Sequence, residues 1–332
     1  MIEQTARKAL LGAGLARGGQ MLYNKDWICR ERIESIMIRD NQIIHYTSDE
    51  AIRVSIAFTA GIVEKARQSH NLSPVACAAL GRTMTGAALL AGDYKNHEGV
   101  SLKIAGDGPL GAVHADCFDT NKLRGYVDNP TIDLPLKPNG KLDVSAAVGR
   151  NGQLTVTRFT PKTTTYTSQA DLVSGEIAED IAYYLYTSEQ VPSTINLGVL
   201  VDRDYTIAAA GGFLVQALPG AKDEDLARVE ANITQVGALT TYLKDHPKGE
   251  GLIDIILGGM HYKELYRQHL YWRCTCSRQR FESALLSLRP EDKESLLKDP
   301  QVEMTCHYCG AKYTLSHDEV AALYEKAGAD KH

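Results

Sequence analysis

The sequence lacks any run of about 18 or more charge-free apolar residues, so no membrane-spanning helix is expected. SPVACAALGRTMTGAALLAG, residues 73–92, comes nearest. It is mostly Ala, Gly and Thr with Arg82 in its middle, the composition of a buried helix packed closely through small side chains. The N-terminus lacks the apolar core of a signal peptide. Arg7, Lys8 and Arg17 stand in an acid-poor start, as in a transit peptide, but Glu3 and the low serine content count against one. The expected compartment is the reducing cytoplasm. Basic charge is also lacking: 36 Lys and Arg against 41 Asp and Glu leave a net charge of −5. That excludes a protein built to coat nucleic acid. No Ser-His-Asp set, paired-carboxylate motif or phosphate loop occurs, so neither an enzyme nor an ATP-driven cycle is expected. Ten histidines form no cluster, and cysteine is scarce, at seven.

What is present divides along the chain. The 332 residues, 44% hydrophobic, exceed what one compact domain needs. Residues 1–36 show no pattern that continues into the rest of the chain; they are a helical extension or sequence upstream of a start at Met37. Ile52, Val54, Ile56 and Phe58 alternate with Arg53, Ser55 and Ala57, which predicts a strand. A helix over Ala60–His70 comes next, then Ser73-Pro74 as N-cap and first residue of another. Short strands are predicted in VSLKIAG, LGAVHAD, KLRGYVD, GQLTVTRF, STINLGVLVD and YTIAAAGGFLVQAL. The glycine cluster GDGPLG (106–111) joins strand to strand and has no Lys-Ser/Thr after it, so it reads as a hairpin turn and not a phosphate loop. SGEIAEDIAYYLYTSEQ (174–190) predicts a helix capped by Ser174, with Ile177, Ile181, Tyr184 and Leu185 on one face. After Pro219-Gly220 the texture changes. Leu226, Val229, Ile233, Val236, Leu239 and Leu243 step by three or four, one apolar stripe on a helix over 221–245.

Four of the seven cysteines form two tight pairs, Cys274 with Cys276 and Cys306 with Cys309. Two local thiol pairs suit one tetrahedral zinc that joins the two arms, and Gly310 after the second pair relieves its turn. Zinc would hold the sulfurs as thiolates and make a domain with little core depend on the metal. The residues alone leave several readings open: a static zinc ribbon, a redox site, a thioredoxin-like Cys306-His307-Tyr308-Cys309 pair, and a nucleic-acid-binding ribbon. The thioredoxin reading wants a βαβ setting. The nucleic-acid reading meets nine Lys and Arg against ten Asp and Glu in 273–332. His307 adds nothing that a four-thiolate site needs. Cys29, Cys77 and Cys117 are isolated; Cys77 is expected in the small-residue helix and Cys117 at a strand end, both as buried spectators.

The stretches SPVACAALGRTMTGAALLAG, GDGPLG with GYVDNP, SGEIAEDIAYYLYTSEQVPS, AAGGFLVQALPGA, and CTCSRQRF with TCHYCG together resemble the 33-kDa heat-shock protein family, redox-regulated molecular chaperones. The resemblance runs from about residue 38 to 325 and leaves out residues 1–36 and Cys29. It implies an α+β fold with four parts: an extension at 1–36, an α/β core for client binding and dimerisation at 37–220, a helical metastable linker at 221–272, and a small zinc-binding redox-switch domain at 273–332. It implies an ATP-independent holdase. The reduced form is an inactive monomer with one zinc on Cys274, Cys276, Cys306 and Cys309. Hypochlorite, or peroxide with heat, forms Cys274–Cys276 and Cys306–Cys309 disulfides and releases zinc. The linker and zinc domain then unfold, the protein dimerises, and unfolding clients are bound; no nucleic acid or membrane is involved. Given those pairings, Cys306–Cys309 should close first: a disulfide wants Cα atoms about 4.4–6.8 Å apart, which a four-residue turn supplies and an extended i, i+2 pair reaches only near its limit.

Overall fold

A computed structural model describes residues 41–92, 98–160 and 163–329; the expected extension at 1–36 and Cys29 lie outside them. From the start of the described chain, strands β1 (Gln42–Ser48) and β2 (Ile52–Phe58) form a hairpin. Helix α1 (Ala60–His70) comes next, ended by Asn71 in the left-handed conformation. Helix α2 (Pro74–Ala91) starts as its sequence predicts, with the Ser73 hydroxyl accepting the Ala76 N–H at 3.4 Å and a proline in the first turn. β3 (Gly99–Ala105), β4 (Ala112–Phe118) and β5 (Lys122–Val127) form a meander. Its first turn is GDGPLG, where Gly111 takes φ +70°. Beyond it lie α3 (Val144–Val148), β6 (Gln153–Phe159), β7 (Thr164–Asp171) and α4 (Ala178–Tyr184), then the hairpin β8 (Ser193–Val201) and β9 (Ile207–Ala217). Helices α5 (Asp223–Val236), α6 (Leu239–Asp245) and α7 (Leu252–Ile256) lead to β10 (Tyr262–His269) and the short β11 (Tyr271–Trp272). The chain closes with α8 (Arg278–Leu286), α9 (Pro290–Leu296), β12 (Gln301–Thr305), β13 (Lys312–Ser316) and α10 (His317–Ala329).

The architecture is α+β. One sheet has the order β10-β1-β2-β9-β8, a second β11-β5-β4-β3-β6-β7, and β12 and β13 form a third. All pairings are antiparallel except β11 with β5. Helix α2 packs against both large sheets, and every residue in it except Pro74 and Arg82 is buried. Its glycines let neighbours in: a Cβ on Gly81 would stand 2.7 Å from Val199 and one on Gly86 2.6 Å from Ile181. Arg82 reaches out of the helix to Glu176 at 2.8 Å. Among the described residues, the one helix long and apolar enough to cross a membrane is therefore the core helix of the fold. Cys77 and Cys117 are buried in the same cluster.

The alternation at 52–58 divides two cores. Ala57 joins the cluster around α2, while Ile52, Val54, Ile56 and Phe58 face a second cluster with Ile44, Phe213 and Val215. That outer face is covered by the apolar stripe: Val229, Val236, Leu239 and Leu243 are buried there, with Leu226 and Ile233 packed at its margin. Leu252, Ile253 and Ile256 of α7 complete the cover. At about 1.5–3 kcal/mol for each fully buried aliphatic side chain, this is a substantial attachment.

Three expectations are corrected. The stripe does not lie on one helix over 221–245: Gly237, at φ +64° and ψ −134°, breaks it into α5 and α6, because that backbone conformation ends a helix. The helix expected at 174–190 begins at Ala178, and Ser174 is not its cap. The Asp180 carboxylate instead accepts the N–H groups of Val173, Ser174, Gly175 and Ile177. Its last turn, Leu185–Glu189, is π-helical, although Ile177, Ile181, Tyr184 and Leu185 are all buried as the pattern implies. Finally, the stretch 221–272 is helical only to Ile256; β10 then joins the first sheet beside β1.

Candidate metal centre

Two arms bring the cysteines together. The first is delivered by the core. Tyr271 and Trp272 pair in parallel with Lys122 and Leu123, and the Arg273 N–H donates to the Leu123 carbonyl at 2.9 Å. Cys274, Thr275 and Cys276 therefore leave the edge of the second sheet beside β5. Ser277 then caps α8, its hydroxyl accepting the Arg280 N–H at 3.3 Å. The second arm is the turn between β12 and β13. The Cys306 N–H donates to the Ala311 carbonyl at 2.9 Å, and the Cys306 carbonyl accepts the Gly310 N–H at 2.8 Å. Gly310 sits at φ +70°, which explains a glycine directly after the second pair.

All four sulfurs lie within 4.8 Å of one another. Cys274 Sγ is 3.7 Å from Cys306 Sγ, and Cys276 Sγ is 3.4 Å from Cys309 Sγ. A tetrahedral metal with bonds of about 2.3 Å to thiolate would set sulfurs about 3.8 Å apart. The donor set therefore fits one tetrahedral ion. Among the described residues no other His, Cys, Asp or Glu group is gathered this way, and His307 is not part of the cluster. His307 instead points at Tyr126, with ring centroids 5.7 Å apart.

The sulfurs differ electrostatically. Burial is the largest influence on Cys274 and Cys309 and pushes both thiols up. Burial acts the same way on Cys276, but hydrogen bonds from the Tyr313 hydroxyl and from the other three thiols outweigh it and hold Cys276 below the ordinary range. The Tyr313 hydroxyl is 3.2 Å from Cys276 Sγ, and its ring lies 4.8 Å from that of Phe281. Sequence reasoning missed Tyr313, along with Thr275, Arg124 and Tyr308, which surround the site. An aromatic residue between two ligands, as in Cys-His-Tyr-Cys, was the one visible signal.

The small domain around this site has a thin apolar core. Leu285, Val302, Leu315 and Val320 are its buried members, with residues such as Leu296 and Met304 at their edge. It lacks the βαβ setting that a thioredoxin-like role for Cys306 and Cys309 would want, since that pair sits on a two-stranded hairpin.

A protein-family profile described as "Hsp33 protein" matches residues 40–316. The "33 kDa chaperonin" of Thermoanaerobacter sp. (strain X514) is 41% identical over 269 residues, covering 80% of this chain and 92% of that protein. The "33 kDa chaperonin" of Staphylococcus aureus (strain JH9) is 38% identical over 278 residues, 83% of this chain and 95% of that one. Among solved structures, the 33 kDa chaperonin (heat shock protein 33 homolog) of Thermotoga maritima aligns with a TM-score of 0.80 and 35% identity, over 87% of this chain and 99% of that one.

Proposed function

This chain belongs to the Hsp33 family of chaperones, and from that premise we propose that it is a redox-regulated holdase that needs no ATP. Cys274, Cys276, Cys306 and Cys309 are at once the zinc ligands of the reduced form and the redox-active pairs of the oxidised one. The observation that carries this reading is the convergence of four sulfurs in a domain with almost no other core. Zinc, when bound, holds the sulfurs as thiolates at neutral pH and cross-links the two arms. A thiolate attacks the peroxide oxygen to give a sulfenic acid, and its partner sulfur displaces hydroxide to close the disulfide. Closing Cys274–Cys276 and Cys306–Cys309 takes four electrons from the four thiolates. Two molecules of hydrogen peroxide accept them and, with four protons, leave as four waters.

Sulfurs joined in disulfides are no longer ligands. Four buried apolar residues cannot hold the small domain without them, so it unfolds. The helices over 223–256 then leave the outer face of the first sheet and expose Ile44, Val54, Ile56, Phe213 and Val215, an apolar surface suited to unfolding clients. The oxidised protein dimerises, and both forms reside in the cytoplasm. The proposed division keeps the core at 37–220 and the switch domain at 273–332, with the covering helices of the linker between them and β10 returning to the core sheet.

Aggregation of thermally unfolding citrate synthase, measured with reduced and oxidised protein and without nucleotide, tests the reading. Zinc is followed in parallel by elemental analysis. Suppression by the oxidised form alone, with one zinc per reduced chain, is expected. Equal suppression by the reduced, zinc-loaded form would leave the domain a static ribbon and the linker a permanent cover.

A further inference from the structure

Each metal-binding turn places its intervening side chain on the same residue of the core. Thr275 stands between Cys274 and Cys276, and its hydroxyl accepts from Arg124 Nη1 at 3.2 Å. Tyr308 stands between Cys306 and Cys309, and its ring faces the Arg124 guanidinium, whose central carbon is 3.9 Å from the ring centroid. Arg124, on β5, is itself fixed from below. Its Nε donates to Asp116 Oδ2 at 2.8 Å, and Asp116, its register partner on β4, is 3% exposed. The rest of the second turn is pressed onto the core as well. The Tyr308 carbonyl lies 3.1 Å from His70 Nε2, and its ring meets Tyr126 edge-on at 5.0 Å. Tyr126 is stacked on His114 at 4.5 Å. A Cβ on Gly310 would stand 3.0 Å from the Ser69 carbonyl.

A guanidinium is suited to this position because it is planar. Its edge donates to Thr275 and Asp116 while its face takes an aromatic ring, a combination that a lysine ammonium does not offer. Both contacts depend on the two turns being closed at once, since Thr275 and Tyr308 come from separate arms that meet at the sulfurs. We infer that Arg124 is a positioning residue that clasps both turns, and so couples the gathering of the four sulfurs to docking of the small domain on the core. Coupling is reciprocal: if gathered sulfurs favour docking, docking favours gathered sulfurs. Arg124 therefore restrains the opening of the site, and the turn that loses Cys306 and Cys309 to oxidation loses the Tyr308 contact in the same event. This rests on the reading of the four cysteines as a metal-binding redox site.

The test uses the full-length chain purified under reduction, as wild type, Arg124→Met, Arg124→Lys, Tyr308→Leu, Thr275→Val and the double variant Arg124→Met/Tyr308→Leu. Two quantities are read: the rate of zinc release under a fixed dose of peroxide, with a metallochromic indicator, and hydrogen exchange across 306–313. Zinc content of the reduced variants should equal that of wild type. Release should quicken about 5–10-fold in Arg124→Met, Arg124→Lys and Tyr308→Leu, and less in Thr275→Val, with exchange across 306–313 faster in each. The double variant should exceed the stronger single by little, because both singles remove one shared contact. Tyr308→Leu and Thr275→Val keep the Arg124–Asp116 pair, although the first also removes the Tyr308 hydroxyl's bond to Asp116, so they decide the matter if the Arg124 variants fold poorly. Release and exchange unchanged in Tyr308→Leu, or fully additive effects in the double variant, would overturn the clasp. Wild type without zinc would instead overturn the metal reading, and the exchange arm would still judge the clasp: protection across 306–313 must fall in Tyr308→Leu.

Discussion

The core and the small C-terminal domain share a chain but are held by different physics. The core has α2 buried on nearly every side between two sheets, and it would keep its apolar contacts whatever happened at a distant sulfur. The C-terminal domain has, among the described residues, four buried apolar residues beside the cysteines, short elements, and four sulfurs that converge from two arms. Burial scales with size and is distributed residue by residue; ligation is concentrated at one point and is lost all at once. A protein that contains both can have one part switched off chemically while the other stands.

That contrast is broken most directly by chelation, which on the proposed reading takes zinc from the four sulfurs. Structural zinc contributes about 10–16 kcal/mol in zinc-finger peptides, more than this domain's core can replace. Chelation under reducing conditions should therefore abolish hydrogen-exchange protection across 277–316 and leave β2, β9 and α2 protected. Protection retained across 277–316 as well as in β2, β9 and α2 after metal removal would mean the small domain stands by itself. Conversely, Met84→Ala, at a fully buried site on α2, should cost about 2–5 kcal/mol of core stability, read as a lower urea midpoint, with zinc stoichiometry untouched.

The linker lies between the two regimes. Charging its stripe with Ile233→Asp and Val236→Asp should remove about 2–4 kcal/mol of attachment and raise client binding without oxidant. Slow exchange across 223–245 with activity still off would show that the stripe is not the gate. A smaller effect separates the sheet from the sulfurs by pH. His45 on β1 is buried, with Nδ1 2.8 Å from the Ser55 hydroxyl and its ring stacked 4.3 Å from Tyr266 of β10. Burial, and then the charge of Arg53, lowers its pKa to about 4. The folded protein thus favours the neutral ring, and the unfolded chain binds the proton first as pH falls. The contribution is complete above about 6.5 and is lost between there and about 4, up to about 3 kcal/mol in all. Urea midpoints at pH 7 and 4.5 should differ less in His45→Gln than in wild type; identical differences would remove His45 from the account. The finest effect is one of order. During peroxide treatment, thiol trapping with mass spectrometry should find Cys306–Cys309 closed before Cys274–Cys276. All four sulfurs start within 4.8 Å of one another, with contacts across the arms at 3.7 and 3.4 Å, so the order in which the local bridges close is set by the turn geometry and not by reach.

The sequence was most readable where one physical signal acted alone. The serine and proline before α2, the alternation in β2 and the two thiol pairs each came from local rules. β1 escaped because Ile43 and Ile44 are adjacent and face opposite cores, which erases the alternation that marks a half-exposed strand. β7 escaped because it is an edge strand of mostly exposed polar residues. The break at Gly237 was invisible to a pattern that runs through it unchanged. At the site, ligand spacing revealed the four cysteines, but Arg124 carries no local mark: its role exists only once β5 lies beside Cys274.

Strand β10 comes after the helices that cover the first sheet, yet it is itself part of that sheet, so residues 218–261 are anchored by β9 at one end and by β10 at the other. When α5, α6 and α7 let go, they form a loop and not a free tail. Closing such a loop costs little more as it lengthens, and its ends never diffuse away. The covering helices thus stay at high effective concentration over the surface they have left. Any client held there competes with a tethered ligand for the same face. On the proposed redox switch, release upon re-reduction would need no motor: the competitor would regain its grip as the small domain refolded and displace the client from its binding surface.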